Sequence, residues 1–325
     1  MNKKHIAVVM GGYSSEFEIS LGSGGVVCDF LDSEKYNIYP VHILKEGWNY
    51  ISPEGTKHPI NKADFSFSNG ETKVIPDAIF NTIHGTPGED GYLQAYLSLI
   101  GIPQTSSEFY QAALSFNKRD CLSVLKGFGI NCADSFYINK GEKISESEII
   151  NTVGLPCFVK PNRAGSSFGI SKVYKKEELK EAIKKAFEED SEIIIEKAIE
   201  GVEVSVGVFN NKEEIIVLPI TEIVSENDFF DYEAKYLGKS NEITPARISD
   251  SEAKKVRSEV KRIYKLLNMT GVTRSEFIIQ EGVPFFIEIN TNPGISKESI
   301  IPKQVKEYGI TLTKFFDILI LNVLT

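Results

Sequence analysis

Residues 4 to 44 contain an apolar strand, a helix and a second apolar strand in succession, and this order strongly constrains the fold. "KHIAVVMGG" is a short apolar run that ends in glycines, "SLGSGGVVCDFLDSE" has a helical pattern, and "YNIYPVHI" is a second apolar run. Parallel strands need a crossover connection, usually a helix, because a tight turn cannot join them. The chain is therefore expected to begin as a parallel α/β sheet.

Composition excludes several classes of protein. The chain has 325 residues, and its 42% hydrophobic and 25% charged residues are ordinary for a globular protein. No apolar run approaches the ~18 residues that span a bilayer, and the N-terminal apolar segment is too short for a secretory signal. We therefore expect a cytoplasmic protein that does not associate with a membrane. The net charge of -9 argues against a general nucleic-acid surface. The four cysteines lack metal spacing and are expected to be buried, reduced thiols.

Strand and helix patterns divide the chain into three parts. "DAIFNTIHG" predicts a strand before the turn "TPGEDG" and the helical "YLQAYLSLIG", so the first unit closes near Pro103. One long helix is predicted from about residue 107 to 126, followed by short alternating strands and helices. The predicted domains are residues 1–103, 104–198 and 199–325.

A hairpin is predicted near the C-terminal end, in "RSEFIIQEGVPFFIEIN". With the turn centred near Gly282, Glu276 falls opposite Glu288, and Asn290 lies beside them on the same face. Strand alternation places a second set of side chains together on the other face. That set is Phe285, Ile287 and Ile289.

Two carboxylates this close repel each other unless a cation lies between them. Oxygen donors without histidine or cysteine suit Mg²⁺, which takes a few carboxylates together with water and substrate phosphates. The alternative is a half-buried strand with an ordinary solvated face. The hairpin pattern alone leaves both interpretations open.

Two further stretches have patterns associated with chemistry. In "VKPNRAGSSFG", residues 159 to 169, glycines and serines could bring backbone N–H groups onto phosphate oxygens, with Lys160 supplying charge. It is not a Walker A loop, and a flexible hairpin tip is the alternative. In "FFDYEAKYLGKSNEITPA", residues 229 to 246, clustered aromatics are typical of a lid that excludes water, and a partner-binding loop is the alternative.

Taken together, these stretches resemble the ATP-grasp superfamily and specifically the D-alanine:D-alanine ligase family. The resemblance covers nearly the whole chain, in matching order and spacing. It implies an ATP-grasp fold, in which an N-terminal parallel-sheet α/β domain precedes two ATP-grasp subdomains that are α+β in part. The matching segments are "MGGYSSEFEISLGSG", "HGTPGEDGYLQ", "FNKRDCLSVLK", "VKPNRAGSSFGIS", "IEKAIEGVEVSVGV", "FFDYEAKY", "TPARIS" and "EINTNPGISKESIIP".

The resemblance implies an ATP-dependent, ADP-forming ligase that makes D-alanyl-D-alanine for peptidoglycan precursors. A carboxylate is a poor electrophile, so ATP first phosphorylates the carboxyl of one D-alanine. The amine of a second D-alanine then attacks the acylphosphate, and phosphate leaves. Water must be excluded, because hydrolysis of the intermediate would waste ATP.

The resemblance also implies which residues bind the nucleotide and the metal. The phosphates would be contacted by Lys118, Lys160, Lys235 and Ser167. Adenosine would be bordered by Glu196, Lys197 and Glu203, the last of which accepts hydrogen bonds from the ribose. Two Mg²⁺ (or Mn²⁺) ions would be bound by Glu276, Glu288 and Asn290.

For the first amino acid, the resemblance implies that Glu16 receives the ammonium and forms a hydrogen-bonded trio with Ser166 and Tyr236. Arg274 and the backbone of Gly294 would stabilise the oxyanion at the acyl carbon.

Three more residues are implied to lie at the amino-acid sites. Ser299 would hold the carboxylate of the second D-alanine, with Ile300 against its methyl group. His84 would lie near the first site, where a structural turn histidine is the alternative.

Two positions depart from the family pattern. Phe17 stands where an arginine is usual, so an acidic neighbour is expected to lose an ion pair. Glu276 stands where the family commonly has aspartate. The extra methylene moves the carboxylate by about a bond length, which near-octahedral Mg²⁺ accepts only with some adjustment.

The alternatives fall into three classes. A sister ligase would use D-serine or D-lactate as second substrate, although lactate-using relatives usually carry histidine in place of Tyr236. A nicotinamide oxidoreductase is suggested by the first β-α-β unit, but G-x-G-x-x-G is missing. A non-catalytic module would need lost ligands, which the chain retains. Relatives are commonly dimers, so we expect a homodimer.

Overall fold

The computed structural model describes residues 3–165, 168–225 and 240–324. The sequence-based assignments for Ser166, Ser167, Lys235 and Tyr236 lie outside the described residues, as does most of the segment 229–246. Within the described ranges, no helix is both long enough and apolar enough to cross a membrane.

The N-terminal part contains the predicted parallel sheet. In its strand order, β4-β3-β2-β1-β7, β1 pairs in parallel with both β2 and β7, whereas β3 and β4 extend the sheet antiparallel. The buried run Ile6–Val9 suits a central parallel strand that is covered on both faces. The elements are β1 Lys4–Gly11, α1 Phe17–Phe30, β2 Tyr36–Leu44, β3 Gly47–Ile51, β4 Lys57–Pro59, β5 Phe67–Ser68, β6 Lys73–Val74, β7 Ala78–Asn81 and α2 Tyr92–Leu99.

The middle part is an antiparallel sheet in the order β10-β9-β11-β8, with helices packed against it. The glycine-rich segment joins two paired strands, β9 and β10. The elements are α3 Phe109–Phe116, α4 Lys118–Gly127, β8 Ser135–Asn139, α5 Glu146–Val153, β9 Cys157–Pro161, β10 Ser171–Val173, α6 Leu179–Glu189 and β11 Glu192–Lys197.

The C-terminal part is a second antiparallel sheet in the order β15-β14-β12-β16-β17, with β13 paired to β12. Helix α7 begins at a capping box, in which Ser249 and Glu252 each accept a hydrogen bond from the backbone N–H of the other. The elements are β12 Val202–Asn211, β13 Glu214–Val217, β14 Thr221–Ser225, β15 Ser240–Ile243, α7 Asp250–Leu266, β16 Val272–Gln280, β17 Val283–Asn290, α8 Ile300–Glu307 and α9 Leu312–Leu321.

The predicted single helix from 107 to 126 is wrong, because Asn117 divides it into α3 and α4. Asn117 has extended backbone angles, and its side chain accepts the N–H of Asp120 at 3.1 Å, as an N-cap does. The break makes Lys118 the first residue of α4.

The C-terminal helices also pack on the N-terminal sheet. Phe316 of α9 meets Phe80 of β7 edge-on, with ring centroids 5.4 Å apart. This core includes α1 and one face of the sheet, and a separate core containing α2 covers the other face. The first and last parts of the chain are thereby held together. All four cysteines are free thiols, two buried and two half-buried.

Candidate active site

The hairpin β16–β17 brings Glu276 opposite Glu288, as predicted. Its two-residue turn, Glu281 and Gly282, has φ of 50° and 75°, and positive φ at both positions is the geometry of a tight hairpin turn. Cross-strand pairing starts with Gln280 opposite Val283 and continues to Phe277 opposite Phe286. A β-bulge between Glu276 and Phe277 then shifts the register by one residue.

The bulge overturns part of the predicted face assignment. Ile289 packs in the core together with Phe286. Ile287 instead lines a cavity together with Glu288, since one extra residue in a bulged strand interrupts the alternation of faces. Phe285, Ile287 and Ile289 therefore do not share one face.

The three predicted metal ligands come together at the end of this hairpin. Glu276 Oε1 accepts a hydrogen bond from Arg274 Nε at 2.7 Å, and Glu288 Oε2 lies 3.4 Å from Lys118 Nζ. Glu276 Oε2 is buried and finds no hydrogen-bond partner in the described chain. Asn290 pairs with Arg274 across the hairpin. A spare buried carboxylate oxygen beside a second carboxylate and an amide fits an oxygen-liganded cation.

The described residues contain no cluster of three His, Cys, Asp or Glu side chains suited to a metal. A cation at this edge would therefore take two carboxylates and one amide from the protein. Its remaining ligands would come from water and substrate phosphates, as Mg²⁺ prefers.

A cavity of about 100 Å³ lies between the middle and C-terminal sheets. Apolar side chains on both sides could hold a flat ring between them. Five of the predicted nucleotide residues line it, namely Lys118, Lys160, Glu196, Lys197 and Glu203. The apolar walls are Ala133, Phe158, Ile170, Ile199, Ile278 and Ile287.

Lys160 is half-buried in this cavity, with its side chain 13% exposed, and remains charged. Its Nζ donates to Glu196 Oε2 at 2.9 Å. Burial acts to lower the pKa of Lys160, but the nearby carboxylates of Glu196, Glu288 and Glu203 together raise it above its ordinary value. The cavity thus offers a permanent positive charge to an anionic ligand.

Lys118 is held against the base of the glycine-rich loop. Its Nζ donates to the carbonyl of Ala164 at 2.9 Å, and its backbone N–H donates to the carbonyl of Asn162 at 3.2 Å. The Asn162 side chain in turn donates to Asn117 Oδ1 at 2.8 Å. The helix break and the loop therefore fix each other, and Lys118 lies between them.

A larger cavity of about 470 Å³ lies beside the first. It is lined by all six of the predicted amino-acid residues that the structure describes, namely Glu16, His84, Arg274, Gly294, Ser299 and Ile300. Lys118, Ile170 and Glu288 line both cavities, so the two spaces meet beside the Lys118 ammonium and the Glu288 carboxylate.

Glu16 packs closely on the glycine-rich loop. A Cβ at residue 165 would lie 2.5 Å from Glu16 Oε2, so a larger residue there would force the Glu16 carboxylate to shift. Elsewhere in the cavity lining, Ser299 Oγ lies 2.8 Å from Ser296 Oγ, within hydrogen-bonding distance. A Cβ at residue 294 would lie 2.8 Å from Ser299 Oγ. Gly165 and Gly294 therefore let the backbone approach a polar side chain of the cavity closely.

His84 is buried against this cavity, and its Nε2 lies 3.1 Å from Ser23 Oγ. Burial lowers the pKa of His84 below its ordinary value, although the Glu16 carboxylate opposes this. Glu18, next to the departure at Phe17, is exposed and makes no ion pair within the described part of the chain.

The sequence reasoning missed Glu89, which is buried against the amino-acid cavity. Its oxygens accept the backbone N–H of Gly85 at 2.7 Å and of Asn292 at 3.3 Å. Burial raises the pKa of Glu89 to about 8, and Glu16 acts in the same direction. An acid inside the turn "TPGEDG" was the available signal, but turns commonly carry solvated acids.

Comparisons with known proteins agree with this geometry. Family models described as D-ala D-ala ligase N-terminus and C-terminus match residues 5–107 and 124–321. A D-alanine--D-alanine ligase of Flavobacterium johnsoniae is 59% identical, over 96% of this chain and 97% of its own.

Solved structures give the same result. The VanG D-Ala:D-Ser ligase from Enterococcus faecalis has a TM-score of 0.88 at 32% identity, covering 99% of both chains. The D-alanine--D-alanine ligase from Bacillus anthracis complexed with ATP has a TM-score of 0.80 at 30% identity, covering 99% of this chain and 97% of its own. The ATP-grasp fold is that of this family and not that of a nicotinamide oxidoreductase. The chain therefore belongs to the D-alanine–D-alanine ligase family.

Proposed function

We propose that the chain joins two D-alanines to D-alanyl-D-alanine, with conversion of ATP to ADP and phosphate, as a step in peptidoglycan precursor synthesis. One observation carries the proposal. The cavity with a charged lysine and apolar walls opens into the cavity lined by the predicted amino-acid residues, beside Lys118 and Glu288. A terminal phosphate in the first space would lie next to a carboxylate in the second.

ATP would bind with its base between the apolar walls and its phosphates toward Lys118 and Lys160. Both lysines are already paired with carboxylates, Lys118 with Glu288 and Lys160 with Glu196. These pairs hold the ammonium groups in place before the nucleotide arrives, which reduces the ordering cost of binding. Glu196, Lys197 and Glu203 would contact adenine and ribose.

The donor set of Glu276, Glu288 and Asn290 fits Mg²⁺, or Mn²⁺, and we propose that it holds two ions with the nucleotide. The spare Glu276 Oε2 supports this assignment. When bound, such ions neutralise phosphate charge and so make the terminal phosphorus easier to attack.

In the first step, a carboxylate oxygen of D-alanine attacks the terminal phosphorus, the bond to ADP breaks, and an acylphosphate forms. Glu16 would bind the ammonium of this D-alanine. Arg274 would face the acyl oxygen together with the Gly294 N–H, so that negative charge developing there meets two donors. Ser166 and Tyr236 would complete the Glu16 trio.

In the second step, the amine of the second D-alanine attacks the acyl carbon, the carbon–oxygen bond to phosphate breaks, and the amine loses a proton. Ser299, backed by Ser296, would hold the carboxylate of this D-alanine. Ile300 would contact its methyl group. Because a methyl and a hydroxymethyl group differ little in size, D-serine is the second candidate acceptor, supported by the likeness to the D-Ala:D-Ser ligase structure.

The test is phosphate release from ATP and Mg²⁺ with D-alanine, L-alanine or no amino acid. We expect release only with D-alanine, together with an equal amount of dipeptide. Paired assays with D-serine or D-lactate beside D-alanine identify the acceptor by mass. ATP hydrolysis that ignores D-alanine, or no release at all, would contradict the proposal.

We also propose that the chain acts as a homodimer through α2 and α3. These adjoining helices contain no charged residue, and they expose Tyr92, Leu99, Phe109 and Tyr110. Two copies of a chain with net charge -9 repel each other least at a face without charge. A self-complementary apolar face is typical of a twofold interface.

The division into domains at 103/104 and 198/199 remains a proposal, supported by the separate sheets of the three parts. We place the reaction in the cytoplasm, where ATP is available and where the four free thiols would stay reduced.

A further inference from the structure

Glu276 connects the two cavities. It lines the nucleotide cavity, whereas Arg274, two residues earlier on β16, lines the amino-acid cavity. A single hydrogen bond of 2.7 Å from Arg274 Nε to Glu276 Oε1 joins them, and the side chains are only 16% and 7% exposed. The Glu276 carboxylate therefore lies in the nucleotide cavity and accepts a hydrogen bond from Arg274, which lines the amino-acid cavity.

The second oxygen of Glu276 has no hydrogen-bond partner in the described chain, although it is buried. Elsewhere in the chain, an arginine bonds both oxygens of a glutamate. Arg247 donates through Nε to one oxygen of Glu222 at 2.9 Å and through Nη2 to the other at 2.8 Å. Leaving a buried carboxylate oxygen unpaired is costly, so a one-point pair at Glu276 indicates that Oε2 is reserved for a ligand.

We propose that Glu276 is a positioning residue for Arg274, and that it couples metal binding to the direction of the guanidinium. Oε1 holds Arg274 Nε, and Oε2 binds the cation that arrives with the nucleotide. Loading the nucleotide cavity then fixes the donor that faces the acyl oxygen. This inference rests on the proposed function.

The glutamate side chain is needed for both contacts. Aspartate, the usual family residue here, is shorter by one methylene, or ~1.5 Å. From an unchanged backbone, aspartate could reach a cation or Arg274 but not both at once. The 2.7 Å distance to Arg274 Nε, lengthened by ~1.5 Å, would be too long for a hydrogen bond. The departure at this position is thus explained by the shared carboxylate.

The test compares Glu276→Asp with Glu276→Gln. Binding of magnesium with a non-hydrolysable ATP analogue is measured by calorimetry without D-alanine, and kcat and KM for D-alanine are measured separately. For Glu276→Asp we expect magnesium nucleotide affinity within ~3-fold of the unchanged protein and kcat lower by ~100-fold, the scale for losing one oxyanion donor. For Glu276→Gln we expect weaker magnesium nucleotide binding, with kcat largely restored at high magnesium.

Glu288→Asp is the matched control, because that carboxylate pairs with Lys118. It should weaken magnesium nucleotide binding, and added magnesium should restore kcat. If Glu276→Asp also regains full kcat at high magnesium, Glu276 is a metal ligand only and the inference fails. If kcat and affinity are both unchanged in Glu276→Asp, it fails as well.

A double-mutant cycle tests the coupling independently of how well one variant folds. Arg274→Lys keeps the charge and loses the Nε donor, so it should lower kcat by removing the same contact that Glu276→Asp removes. The kcat of the double variant should therefore be little lower than that of either single variant. Losses that multiply would overturn the inference. The D-alanine-dependent phosphate release of the unchanged protein is recorded first, so that failure of the proposed function is recognised separately.

Discussion

At the scale of the residue, Glu89 shows what burial does to a carboxyl group beside a substrate cavity. Its folded-state pKa of about 8 lies above the ordinary value of 4.5. Below pH 4.5 both the folded and unfolded forms are protonated. Between pH 4.5 and 8 only the unfolded form ionises, so the free energy of unfolding falls as pH rises through this range.

Glu89→Gln removes this ionisation and should flatten that part of the stability profile. We expect the melting temperature of the variant, relative to that of the unchanged protein, to rise by several degrees between pH 5 and 8. A constant loss from the replaced acceptor of Gly85 and Asn292 does not alter this slope. Asp317→Asn is the control, because the pKa of Asp317 is lowered from its ordinary value of 3.8. The contribution of Asp317 is lost only as pH falls below that value, so the Asp317→Asn difference should be flat between pH 5 and 8. A pH-independent difference for Glu89→Gln would contradict the account.

At the scale of the element, the break between α3 and α4 determines where Lys118 lies. Asn117→Ala removes the cap of α4 and the acceptor for Asn162. We expect a loss of about 1 kcal/mol of stability and a KM for ATP raised several-fold, because Lys118 loses its fixed position.

Ser145→Ala is the matched control. Ser145 caps α5 through the N–H of Glu148 and lines neither cavity. It should lower stability by a similar amount and leave the KM for ATP unchanged. An equal effect of the two variants on KM would show that the break has no special role in nucleotide binding.

The elements differ in how far their sequences predict them. Apolar runs such as Ile6–Val9 and the capping box at Ser249 act locally, so strand β1 and the start of α7 follow directly from the residues. The break at Asn117 depends on Asn162, which is distant in the chain. The β-bulge that turns Ile287 toward the cavity depends on packing across β16 and β17, which a period-two pattern does not contain.

The candidate site shows the same limit. Glu276, Glu288 and Asn290 follow from the hairpin register, whereas most of the nucleotide residues follow only from the resemblance to the ATP-grasp superfamily. Glu89 follows from neither, because its burial results from the contact between the turn at residue 85 and the loop at Asn292. This contact forms only when the sheets assemble, so the sequence around Glu89 does not predict it.

At the scale of the whole molecule, the uncharged face of α2 and α3 predicts the assembly. Leu99 is 88% exposed, and Leu99→Glu should place a charge in the interface and shift the protein from dimer to monomer in analytical ultracentrifugation. Leu321→Glu is the control, since α9 packs on the opposite face of the N-terminal sheet. A dimer that persists in Leu99→Glu, or dissociates in Leu321→Glu, would refute the proposed face.

The meeting of the two cavities beside Lys118 and Glu288 predicts direct phosphoryl transfer to a substrate carboxylate. D-alanine labelled with ¹⁸O in both carboxylate oxygens tests this step. The account predicts that each phosphate released with a dipeptide carries one ¹⁸O, because the oxygen that attacked phosphorus leaves with it. Phosphate without label, formed alongside dipeptide, would contradict activation through an acylphosphate.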